Sequence, residues 1–147
     1  MRLLHGAALL AAIVSASATH AGDTPAPKGA SVYFINLKDG VTVKNPIRIQ
    51  FGLSGMGVAP AGIKKANTGH HHLLVDRPAF GNGPDGKEEA NANLPADDHH
   101  KHFGAGQTET SVTLSPGKHT LQLVLGDENH IPHNPPVVSP RITITVQ

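Results

Sequence analysis

Ile47-Arg48-Ile49-Gln50-Phe51-Gly52-Leu53 alternates without a break, with Ile47, Ile49, Phe51 and Leu53 at every second position. Successive side chains of an extended chain point to opposite faces, so these four share one apolar face and the segment reads as a half-buried β-strand. The pattern recurs in both directions. Upstream, Val32 to Leu37 is a β-rich run closed by the turn Lys38-Asp39-Gly40; Val41 and Val43 alternate beyond it, and Asn45-Pro46 interrupts. Downstream, Ser54 to Gly69 reads as a long Gly/Pro loop, His70 to Asp76 as the next strand, and Asp97 to Phe103 as a short one turned by Gly104-Ala105-Gly106. Thr110, Val112 and Leu114 alternate, as do Leu121, Leu123 and Leu125; Val137 and Val138 open a last strand whose buried face is Ile142, Ile144 and Val146. Arg77 to Ala96 has no apolar period and reads as an irregular excursion. No stretch after Ala21 has helical periodicity. The expected fold is all-β, an immunoglobulin-like β-sandwich of about seven antiparallel strands over residues 31–147. With no cysteine and no tryptophan, its core must be aliphatic.

The N-terminus has another character. Met1-Arg2-Leu3-Leu4-His5 is followed by an apolar run to Val14 and small residues to Ala21, the layout of a secretory signal peptide. The run is too short to span a bilayer. Cleavage is expected after Ala21, Ala18 being the alternative, with residues 22–30 a flexible Pro/Ala/Gly leader. The expected location is periplasmic or secreted. Without Arg2, basic and acidic side chains balance and no Lys/Arg run remains, which argues against nucleic acid, or a membrane after signal removal, as partner. One tyrosine and no tryptophan leave few platforms for stacking sugars or bases.

Histidine is the outlier: 11 of 147 residues. Labelling the expected strands A to G, the B–C, D–E and F–G loops of such a sandwich gather at one end. That brings His70 and His72, His100 and His102, and His130 and His133 to one pole. Residues two apart on a strand share a face, roughly 6.5–7 Å apart. These six are the candidate metal ligands, with Asp76, Asp98 and Asp127 as nearby carboxylates able to ligate or to orient an imidazole. Imidazole suits several transition metals. No thiolate is present, and Met56 is the one thioether after Met1, so Cu(II) or Zn(II) fits better than Cu(I).

The remaining histidines have plainer readings. If Leu73 and Val75 face the core, His71 does too, and parity then separates it from His70 and His72. His99 has the opposite parity to His102 and is expected exposed. His119 is expected to fix the corner before its strand by a hydrogen bond, and His20 leaves with the signal peptide or lies in the leader.

Four blocks carry a resemblance: Phe51 to Gly62 (FGLSGMGVAPAG), Asn67 to Asp76 (NTGHHHLLVD), His102 to Glu109 (HFGAGQTE) and Pro116 to Pro136. Together they resemble the bacterial exported family catalogued as domain of unknown function 4399. The resemblance implies a periplasmic location and a single such domain; it implies no activity and no catalytic residues. The expected function is a metal-binding module for storage, delivery or buffering of Cu(II) or Zn(II), with the ion, and another periplasmic protein, as partners. The alternatives are a metalloenzyme of oxidoreductase or hydrolase type and a metal-free, pH-responsive interaction domain.

Overall fold

The computed structural model describes residues 22–147; the expected signal peptide lies outside the described residues. The fold is all-β, built on two sheets. The smaller is antiparallel, ordered β1–β3–β7, from Ser31–Phe34, Ile47–Ser54 and Glu109–Val112. The larger runs β2–β9–β8–β5, from Thr42–Val43, Ile142–Val146, Gly117–Gly126 and Thr68–Val75. Two short strands, β4 (Gly57–Val58) and β6 (His100–His102), share the remaining edge of β5.

The alternation read from the sequence becomes the core. Ile47, Ile49 and Phe51 of β3 meet Leu73 and Val75 of β5, Leu121, Leu123 and Leu125 of β8, and Ile142, Ile144 and Val146 of β9 between the sheets. Each fully buried aliphatic side chain contributes about 1.5–3 kcal/mol.

The structure corrects the reading in several places. Val58 lies in a two-residue strand inside the expected Ser54–Gly69 loop. Val137 and Val138 precede the last strand, which starts at Ile142; Val138 forms only an isolated bridge to Val124. The excursion from Arg77 to Ala96 contains a helix, α1, Gly86–Asn91. It lays Phe80 and Leu94 over Leu74 of β5 and Val124 of β8, making a second, smaller core on the outer face of the larger sheet. β5 is therefore covered on both faces, and all of Gly69 to Val75 is buried. At the other end of the chain, residues 24–26 lie against the domain: the Thr24 hydroxyl donates to Asp127, Asn134 N–H to the Thr24 carbonyl and Ala26 N–H to the Asn134 carbonyl. Among the described residues no helix is long and apolar enough to cross a membrane.

Candidate metal centre

The site begins with register. Antiparallel pairing sets His72 of β5 opposite His102 of β6, and His70 opposite Gly126 of β8. Directly opposed residues have their Cβ atoms about 4.5–5.5 Å apart on one face, so His72 and His102 must meet, and His70, two residues on, joins them. The fourth imidazole, His130, comes from the loop after β8. Ring centroids are 4.8 Å apart for His70 and His72, 5.1 Å for His72 and His102, 5.1 Å for His70 and His102, and 4.6 Å for His102 and His130. His72 Nε2 lies 3.0 Å from His70 Nε2, which lies 3.1 Å from His130 Nδ1. One nitrogen from each of the four falls within 4.8 Å of the others. Four nitrogens about 2.0–2.1 Å from a tetrahedral ion stand about 3.3–3.4 Å apart, close to this spacing.

Two devices hold the fourth ligand. His130 has φ 66°, the left-handed region that non-glycine residues seldom enter. Buried Asp127 holds the loop there: its carboxylate accepts the N–H groups of Asn129 at 2.8 Å and Ile131 at 3.0 Å and the Thr24 hydroxyl at 2.7 Å, while its carbonyl accepts His130 N–H. The His130 carbonyl in turn accepts Leu94 N–H from the excursion. Gly126 leaves room for the rings, since a Cβ there would stand 2.9 Å from His72 Nε2.

Burial sets the charge state. Desolvation first, and then the neighbouring imidazoles, push His70 down to about 4 and His72 down to about 2. His102 is lowered by burial and by His130. A neutral imidazole keeps its lone pair, so at neutral pH protons do not compete with a cation for His70 and His72.

Of the six candidates, His70, His72, His102 and His130 come together, on the outer face of the larger sheet rather than among the loop tips. His100 shares that face two residues farther along β6, and is taken up by Asp97 at 3.0 Å and by Glu89 of α1 at 3.5 Å. His133 is buried with its ring nitrogens 3.3 Å from the Leu125 carbonyl and 3.2 Å from that of Thr68. His71 points into the core against Phe51, centroids 5.1 Å apart. His99 is exposed, with Nδ1 2.9 Å from the Val75 carbonyl. His119 bridges Asp76 at 2.7 Å and the Ser115 carbonyl at 2.8 Å, fixing the corner where β8 begins. Asp98 is exposed beside Lys101. Asp127 acts on the site through the loop, and its negative charge opposes the lowering of His70. Glu89 carried no signal in the sequence, since nothing in its neighbours marks it as buried.

No curated protein and no solved structure matches the chain. Residues 49–147 match the family model described as a domain of unknown function (DUF4399); they run from Ile49 within β3 to the end of β9 and beyond, include all four clustered histidines, and the chain belongs to that family.

Proposed function

We propose that this protein is an exported, periplasmic metal-binding module that takes Cu(II) or Zn(II) at His70, His72, His102 and His130, for storage, delivery or buffering. The observation that carries the reading is the convergence of four imidazoles from two strands and a loop, two of them, His70 and His72, fully buried and the other two partly so. Two facing imidazole nitrogens 3.0 Å apart share at most one proton well, and a cation satisfies all four at once. Four nitrogens fill a tetrahedral shell, the arrangement of a holding site; a catalytic ion keeps a position open. The absence of thiolate favours Cu(II) or Zn(II) over softer ions. Export is supported by the charged, apolar and small-residue succession from Met1 to Ala21.

Calorimetric titration with Cu(II) and with Zn(II) tests this. One ion per chain is expected at the four-histidine centre, with affinity falling at least a hundredfold in His72→Ala. Removing a group that merely supports a ligand costs about 10- to 100-fold, and loss of a ligand costs more. Wild type and His72→Ala binding alike would overturn the reading. A melting midpoint that moves between pH 7 and pH 6 but ignores chelator would favour the metal-free, pH-responsive alternative instead.

A further inference from the structure

Farther along β6, a second set of buried polar atoms converges on a separate cavity of about 330 Å³ between α1 and the strand, lined by Arg77, Asp85, Glu88, Glu89, Asp97 and His100. The side chains of Glu89 and His100 are 3% and 6% exposed. The Asp97 carboxylate accepts the backbone N–H groups of His99 and His100, so His100 Nδ1, 3.0 Å away, donates to it as well. Asp97 thus holds the Nδ1 side of the ring, and Nε2 faces Glu89 Oε1 at 3.5 Å. Neither His100 Nε2 nor Glu89 Oε1 has a hydrogen-bond partner. The other carboxylate oxygen of Glu89 accepts Gly81 N–H at 3.1 Å, which aims Oε1 at the ring.

Two buried polar atoms face each other here across 3.5 Å, neither of them in a hydrogen bond, an arrangement that desolvation penalises and that a shared cation relieves. An imidazole nitrogen and a carboxylate oxygen bound to one zinc-class ion stand about 3.3–3.4 Å apart, near the observed 3.5 Å. A carboxylate on the far nitrogen of the ring is the usual support of a ligating histidine, and Asp97 supplies it. Arg77 does not block the site. Its Nη2 lies 3.5 Å from both Glu89 Oε1 and Asp85 Oδ2, longer than a charge-assisted bond of about 2.7–2.9 Å, so it leaves Glu89 Oε1 without a hydrogen bond.

We infer that His100 Nε2 and Glu89 Oε1 form a second divalent-metal site with mixed nitrogen and oxygen ligands, oriented by Asp97 and completed by water. With two protein ligands it binds more weakly than four imidazoles, and it does not depend on the four-histidine centre holding metal.

The test is Zn(II) titration of the full chain by calorimetry, with the His100 ring protons followed by NMR. Wild type is expected to bind two ions in a tight and a weaker step, with the His100 resonances moving in the weaker one. Glu89→Gln keeps the shape of the side chain and is expected to retain the tight step while weakening the other at least tenfold. The double variant His70→Ala/His72→Ala is expected to keep only the weaker step. A Glu89-dependent weak step without a tight one would sink the four-histidine reading alone. Identical isotherms for wild type and Glu89→Gln, with His100 unmoved, would show an internal His–Glu contact only and overturn the second site.

Discussion

His71 and His72 are neighbours on β5, and both are fully buried, yet they sit in opposite surroundings. His71 faces inward, stacked against Phe51, which itself packs on Phe103 at 4.8 Å. Its ring nitrogens lack well-formed hydrogen bonds, and burial pushes it down to about 4, with the Gln107 backbone close enough to oppose this only in part. His72 faces outward, and three other imidazoles surround it. The same residue type is thus an aromatic core filler on one face and a candidate ligand on the other. Burial and low basicity do not mark a metal site; convergence of nitrogens does.

The largest expected effect exposes what the two faces share. His70, His71 and His72 are held neutral in the folded chain, while in the unfolded chain they titrate near 6.5. Their contribution is therefore complete above pH 6.5 and is lost as pH falls, down to about 4 for His70 and His71 and about 2 for His72. Between pH 6.5 and 5 each costs about 2 kcal/mol of stability. Urea melts of the metal-free chain should show a steep loss over that range. Saturating Zn(II) should delay the part due to the outer face and leave the part due to His71. A flat profile would mean these histidines meet water in the folded protein.

A smaller effect belongs to the outer face alone. Asp127→Ala removes the carboxylate that holds the His130 loop and should weaken metal binding by about 10- to 100-fold, measured by competition with a chelator of known affinity. An unchanged affinity would show that His130 reaches the site without that clamp.

The smallest effect sharpens the contrast most. His71→Leu should leave metal affinity within about twofold, change stability at pH 7 by less than about 1.5 kcal/mol, and reduce the acid loss by about one third. A large fall in metal affinity would break the division between the faces.

Much of this was legible from residue order. The two-residue period of a strand placed His70 and His72 together and His71 apart, and the aliphatic alternation at Ile47–Leu53, Leu121–Leu125 and Ile142–Val146 marked the inner faces that became the core. Why His100 and His102 separate was not legible. They share a face, but His102 pairs with His72 while His100 pairs with Leu74, and that assignment is a matter of register between strands far apart in sequence. Likewise the Arg77–Ala96 excursion looked like a loop because its few apolar residues, Phe80 and Leu94 among them, have no period. They work as single plugs on a sheet face that only the folded chain creates.

By itself, then, the sequence determined an all-β domain, its aliphatic core faces and which histidines share a strand face, because these follow from local periodicity. Tertiary structure alone decided that four of the six candidate histidines meet, that His130 is held at positive φ by Asp127, and that His100 turns to Glu89. Those depend on strand register and on what covers the outer sheet, long-range pairings that no neighbouring residue encodes.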